Sequence, residues 1–336
     1  MINIGIIGMG RIGKVHCKSI AYHVPGAVVK SVADPRLDGE MKAFAQNLGI
    51  TEVYDDYKRI LADPAIDAVL VCSSTDTHAA ISIEAAQAGK HIFCEKPVDT
   101  DPERIRAVIS AVEKAGVKFQ VGFNRRFDNN FKAIREAVKS GKVGDVHLIR
   151  VTSRDPAPPP AEYVAVSGGI FLDMTIHDFD MVRYLSGSEA QEVYAAGAVL
   201  VDPAIGEAGD IDTAVITIKL ENGAIATIDN SRKAVYGYDQ RAEVFGSKGA
   251  VAISNNTEST AVYSGEEGII AEKPLYFFLE RYMQSFSDEV RQFCEAIQNN
   301  SDTPVGPRDG LEPVRIALAA KRSLDEGRPV KLSEIN

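Results

Sequence analysis

The chain reads as an α/β protein with two parts: a doubly wound domain first, then a second α/β domain built on a large, open, mostly antiparallel sheet. Three observations predict this. Short aliphatic runs alternate with amphipathic helical stretches through the first third of the 336 residues. A glycine-rich turn directly follows the first of those runs. After about residue 123 the pattern changes to runs of period two separated by turn residues. The boundary is accordingly placed between 1–122 and 123–336.

Taken in order, Asn3–Ile7, Val28–Ala33, Ala68–Cys72, His91–Cys94 and Lys118–Val121 are short and largely apolar. Such runs suit strands buried on both faces, as in a parallel sheet. Between them, Arg11–Tyr22, Thr77–Ala88 and Asp101–Ala115 have helical character. The last is well delimited. Thr100 or Asp101 can cap it, Pro102 suits its first turn, and Gly116 stops it.

In the second part a helix over Asn130–Lys139 precedes a strand-like run, His147–Ser153, and a proline-rich loop, Pro156–Pro160. Gly168-Gly169 and a helix around Asp173–Leu185 come next. Thr213–Leu220, Ala224–Asn230, Arg241–Phe245 and Ala250–Ile253 then alternate, with Asn222-Gly223 and Lys248-Gly249 as turns. A sheet of this kind has one open face, which solvent or another subunit must cover. Helical segments Glu280–Gln298 and Leu311–Asp325 close the chain, and no repeat or low-complexity tract interrupts it.

Composition excludes several function classes. Lys and Arg number 37 against 47 Asp and Glu, a net charge of −10, with no basic tract to neutralise phosphates, so neither nucleic acid nor an anionic membrane is expected as a partner. No apolar run approaches the roughly 20 residues of a spanning helix. The N-terminus enters a strand without the layout of a signal peptide, and a cytoplasmic location is expected. Cys17, Cys72, Cys94 and Cys294 are scattered, which suits neither a metal site nor a disulfide framework. Cys72 and Cys94 sit in apolar runs, where a thiol acts as a small core residue.

Gly8-Met9-Gly10-Arg11-Ile12-Gly13 fits G-x-G-x-x-G, and it stands between a strand and a helix. The first glycine makes the tight turn, the second admits the pyrophosphate, and the third lets helix and strand pack closely. Asp34 ends the second strand about 20 residues on, where a carboxylate accepts bonds from the adenosine ribose. The alternative for Asp34 is a cap or turn residue. A carboxylate there repels a 2′-phosphate and favours NAD over NADP, a preference that Arg36 could soften. The expected cofactor set of this Rossmann domain is Gly8, Gly10, Arg11, Ile12, Gly13, Asp34, Arg36, Glu95 and Lys96.

Glu95-Lys96-Pro97 follows a buried strand, whose C-terminal end faces the ligand crevice in an open α/β sheet. Lys96 is therefore expected at the nicotinamide and substrate, with a surface lysine as the alternative. Glu95 is a salt partner or a helix-facing carboxylate. Asp173, His177 and Asp180 are spaced i, i+4 and i+7, on one helical face. A histidine between carboxylates can act as general base to a hydroxyl whose carbon loses hydride. A surface salt network or a metal site would use the same spacing.

On Gly8–Gly13, Glu95-Lys96-Pro97, Gly122-Phe123-Asn124-Arg125-Arg126-Phe127-Asp128 and Asp173–Met181, the chain resembles the Gfo/Idh/MocA family of NAD(P)-dependent sugar and polyol oxidoreductases. Within it, Asp-Met-Thr-Ile-His-Asp-Phe-Asp is similar to the inositol 2-dehydrogenase form. The resemblance spans nearly the whole length. It implies NAD as cofactor, no metal, a polyol substrate, and dimers or tetramers formed by packing of the open sheets, with a homotetramer expected here. It makes Lys96 and His177 the proton-handling pair, with Asp173 orienting the histidine and holding a substrate hydroxyl. Arg126 and Asp180 are implied to contact or organise the substrate site and one of Tyr236 and Tyr238 to line it, with Asp155 and Tyr163 as weaker candidates. The reaction implied is oxidation of myo-inositol to 2-keto-myo-inositol. The rival readings are a dehydrogenase for scyllo- or chiro-inositol or an aldose, a glycosidase using NAD for transient oxidation, and a non-catalytic NAD sensor.

Overall fold

The computed structural model describes residues 1–336, the side chain of Ala161 excepted. The chain divides into two compact units, Met1–Phe127 with Gln284–Val314 and Asp128–Met283 with Arg315–Asn336. In the first, β1 (Ile2–Ile7), α1 (Arg11–His23), β2 (Ala27–Ala33), α2 (Gly39–Asn47), β3 (Glu52–Tyr54), α3 (Lys58–Ala62), β4 (Ala68–Val71), α4 (Thr75–Gln87), β5 (His91–Glu95), α5 (Pro102–Ala115) and β6 (Phe119–Gly122) alternate strictly. The strands form one parallel sheet in the order β3-β2-β1-β4-β5-β6. The order reverses between β1 and β4, and ligands of such sheets bind beyond the carboxyl ends at that point.

Every residue of β4 is fully buried, as its unbroken aliphatic run requires of a strand covered on both faces. The ends of α5 follow the expected chemistry. The Asp101 side chain accepts from Glu103 N at 2.9 Å, Pro102 occupies the first turn, and Gly116 closes the helix in the left-handed region at φ 66°.

The second unit runs through α6 (Asn129–Lys139), β7 (Val146–Arg154), α7 (Ala161–Val164), α8 (Gly169–Asp173), α9 (Ile176–Ser186), β8 (Ala190–Ala198), α10 (Pro203–Glu207), β9 (Thr213–Leu220), β10 (Ile225–Ser231), β11 (Asp239–Gly246), β12 (Gly249–Ile253), the hairpin β13 (Val262–Gly265) and β14 (Gly268–Ala271), and α11 (Phe278–Arg281). Near the C-terminus β15 (Val330–Lys331) completes a seven-stranded sheet in the order β12-β11-β7-β10-β9-β8-β15. Its pairings are antiparallel except that of β7 with β10, which is parallel. Alternation sorts the two faces. Ile149, Ala226, Ile218 and Val193 are buried in register on one face. Phe245, Leu148 and Ile225 stand exposed in register on the other.

Two helices, α12 (Met283–Gln298) and α13 (Pro307–Glu326), follow α11. Residues 284–314 belong to the first unit, whereas the sequence-based division at 122/123 assigned them to the second. The cause is the apolar stripe of α12: Val290, Phe293 and Cys294 join a core that includes Ile4, Ile6, Val32, Leu70 and Phe93.

Candidate active site

The nucleotide loop has the shape its glycines require. Gly8 follows β1 at φ 99°, and a Cβ on it would stand 2.5 Å from Cys72 O and Ser73 N. A Cβ on Gly13 would stand 2.0 Å from Gly8 O, whereas the space beside Gly10 is open. No side chain caps α1 at Gly10, and the first turn of such a helix, Arg11, Ile12 and Gly13, suits an anionic ligand. Asp34 lies at the end of β2 and is buried; its Oδ2 accepts from Met9 N and its Oδ1 from Arg36 N, both at 2.8 Å. It thus ties the loop to β2 while keeping lone pairs for ribose hydroxyls. The Arg36 side chain is largely exposed, its Nε 3.9 Å from Asp34 Oδ1. These residues fit a dinucleotide whose pyrophosphate meets α1 and whose ribose meets Asp34.

Lys96 follows β5 and is half-buried. Glu95, expected in the cofactor set, turns its carboxylate inward, with Oε1 2.7 Å from Nε2 of buried His16 on α1. Pro97 O lies 2.8 Å from Nδ1 of His78 on α4, and Nε2 of His78 lies 3.0 Å from Ser73 O. The turn is therefore pinned on each side of the lysine. Arg126, in the 3-10 turn Asn124–Phe127, donates from Nη2 to Asp309 Oδ1 at 2.9 Å.

In the second unit Asp173 is the last residue of α8. Its Oδ1 accepts from Tyr163 Oη at 2.8 Å and its Oδ2 from Arg232 Nη1 at 3.0 Å. Arg232 is 1 % exposed, and its Nη2 lies 3.6 Å from Asp210 Oδ2. His177 stands in the first turn of α9, half-buried. The single helical face expected for Asp173, His177 and Asp180 is broken. Met174 N and Thr175 N both donate to Ile170 O, and Thr175 Oγ1 donates to Asn230 Oδ1 at 2.7 Å, which ends α8 before α9 begins. Asp180 is fully buried with Arg183 Nη1 at 3.8 Å, and so braces α9 from within. Asn230 Nδ2 donates to Asp178 Oδ2 at 2.9 Å, so Asn230 holds both the junction and the start of α9.

The two tyrosines diverge. Tyr236 Oη donates to Asp239 Oδ2 at 2.6 Å and accepts from Arg154 Nη1 at 3.2 Å. With Arg154, Val215, Asp229 and Lys233 it lines a cleft of about 410 Å³. Burial, then the bond to Asp239, raises its pKa. Tyr238 is buried, its ring edge-on to Tyr282 with centroids 6.0 Å apart. Asp155, just past β7, is fixed by its backbone: its N–H donates to Ser231 O at 2.9 Å and its O accepts from Ala234 N at 2.6 Å. Sequence reasoning missed Arg232, Asn230 and His16. None of the three is set apart by a motif or a local period, since each acts on a partner far away in the chain.

Comparison with known proteins extends over the full chain. A family model described as an oxidoreductase family with an NAD-binding Rossmann fold matches residues 2–123, and one described as the GFO/IDH/MocA C-terminal domain matches 131–252. An uncharacterized oxidoreductase of Bacillus subtilis is 51 % identical over 328 residues, 98 % of this chain and 96 % of that one. The myo-inositol 2-dehydrogenase of Thermotoga maritima is 48 % identical over 334 residues, 99 % of each chain. Among solved structures, scyllo-inositol dehydrogenase from Lactobacillus casei with bound NAD(H) and scyllo-inositol matches with a TM-score of 0.93 at 34 % identity, covering 99 % of each chain.

Proposed function

Because the chain belongs to the Gfo/Idh/MocA oxidoreductase family, we propose that it oxidises myo-inositol to 2-keto-myo-inositol with NAD as hydride acceptor. The observation that carries this reading is Asp173. It is held between Tyr163 Oη and Arg232 Nη1, one helical junction before His177, in a chain whose other unit presents Lys96 beyond the carboxyl end of β5.

Bound at the loop and Asp34, the dinucleotide supplies the hydride acceptor. The protein's own residues manage the proton. In this reading His177 takes the proton from the hydroxyl at the carbon being oxidised. Lys96 hydrogen-bonds the same oxygen, and Asp173 orients the imidazole and accepts from a neighbouring substrate hydroxyl. Arg126 and Asp155 complete the recognition of a ring that carries many hydroxyls, where a site built to pair each one rejects analogues lacking it. The enzyme works in the cytoplasm as a homotetramer, with further copies covering the open sheet face.

The test is NADH formation by purified protein with NAD and, in turn, myo-, scyllo- and chiro-inositol, glucose and xylose, repeated with NADP. The fastest turnover is expected on myo-inositol with NAD. H177A is expected to lose about 10²- to 10⁴-fold in kcat while NAD binding is kept. Preference for another polyol would correct the substrate, and silence across the panel would overturn the reading.

A further inference from the structure

Behind the turn that carries Lys96, the first unit holds three buried titratable side chains that the hydride chemistry leaves unexplained. His16 on α1, Glu95 at the end of β5 and Glu289 on α12 place one nitrogen or oxygen each within 4.8 Å of one another. They are 0 %, 8 % and 0 % exposed. One pair is bonded, His16 Nε2 with Glu95 Oε1 at 2.7 Å. Among the described residues neither carboxylate oxygen of Glu289 has a hydrogen-bond partner. The Glu95 carboxylate is boxed in, since a Cβ on Gly122 would stand 2.9 Å from its Oε2. The rings of Phe93 and Phe286 stand steeply inclined to that of His16, with centroids 5.2 and 5.9 Å away. Gln120 Nε2 holds α12 in place by donating to Glu289 O at 2.8 Å.

Two ionised carboxylates side by side in so dry a space would be costly. Burial, and then the Glu95 charge, pushes the Glu289 pKa well above the usual carboxylate range. The other titratable groups facing the set are Cys17 on α1, Cys72 after β4 and Cys94 on β5. Burial raises all these thiols, Cys17 to about 12, so they stay uncharged. A divalent ion with ligand bonds of about 2.0 Å at tetrahedral angles would hold two ligand atoms about 3.3 Å apart. The observed 2.7 Å between His16 and Glu95 is instead a hydrogen bond.

We propose that His16, Glu95 and Glu289 are positioning residues for Lys96, with Glu289 carried as the neutral acid and Glu95 as the carboxylate that accepts the His16 Nε2–H. Consecutive side chains of an extended segment leave on opposite faces, so anchoring Glu95 toward α1 sets the face left to Lys96. Because α1 begins at the nucleotide loop, one buried set holds both that loop's helix and the lysine turn, while His78 pins Pro97 beyond it. The inference rests on the role given to Lys96 above.

The test compares E289Q and E289L with the wild type, on whichever polyol the wild type oxidises fastest, by kcat, KM for NAD and Tm. Glutamine keeps the shape, polarity and neutrality of the protonated acid, and E289Q is expected within about twofold of wild-type kcat. E289L is expected to lose about ten- to a hundredfold in kcat, with KM for NAD nearly unchanged, because a small misplacement of a reacting group is costly. A second readout needs no substrate: at neutral pH the wild type should show the infrared C=O band of a protonated carboxylic acid, absent from E289Q. Wild-type kcat in both variants, equal loss in both, no such band, or a stoichiometric metal lost with H16A would each overturn the proposal. If the wild type oxidises no polyol the functional reading falls by itself, and the band still decides the state of Glu289.

Discussion

Asp173 shows how much depends on residues far apart in the sequence. Its carboxylate is set by a tyrosine ten positions before it and an arginine 59 positions after it. Asp173 and His177 are legible from the sequence by their four-residue spacing, even though α8 ends at Asp173 and α9 begins only at Ile176. Arg232 is not, because no local period links the end of β10 to α8. Asp180 shares the spacing but not the surroundings, since Thr175 breaks the helix and leaves Asp180 inside the fold. Replacing Arg232 with Met leaves the part-buried Asp173 and Asp210 without their shared guanidinium. Removing one partner of a buried pair costs about 3 kcal/mol or more, so R232M is expected to lower the urea midpoint and also to depress kcat as Asp173 loosens. An unchanged midpoint would show that the pair contributes nothing to the fold.

At the scale of elements, β1, β2, β4, β5 and β6 of the first unit lie within a residue or two of their sequence-read bounds, because burial on both faces leaves a largely apolar run. The bounds of α1, α4 and α5 agree as closely, whereas α2 and α3 are not read from the sequence. β3 escapes notice because it has only three residues, and β8 because Ala190–Ala198 is rich in alanine and glycine. The parallel pairing of β7 with β10 had no local signal either, since it joins strands with two others between them in the chain. The membership of α12 in the first unit depends on tertiary packing, and so does the burial of its Glu289. With a folded-state pKa well above the ordinary value of 4.5, native Glu289 keeps a proton that the unfolded chain has lost. Stability therefore falls as pH rises from about 4.5 toward the folded-state value. E289Q removes that dependence. Its Tm advantage over the wild type is expected to be smallest near pH 4 and to grow toward pH 8; an advantage independent of pH would mean that native Glu289 is ionised.

The molecule as a whole comprises two units, and the family-model matches, 2–123 and 131–252, fall one within each. The seven-stranded sheet of the second unit exposes Phe245, Leu148 and Ile225 in one register row. An apolar row on an open sheet is ordinarily covered by an interface. If other copies of the chain cover it, light scattering should give the mass of four chains for the wild type and a smaller mass for L148D; a monomeric wild type would remove the tetramer. The central claim, hydride transfer from a ring carbon of myo-inositol to NAD, is tested most directly with myo-inositol deuterated at carbon 2. The account predicts that the deuterium appears in the reduced nicotinamide and that 2-keto-myo-inositol forms in equal amount. Deuterium retained in the sugar ring, or released to water, would contradict it.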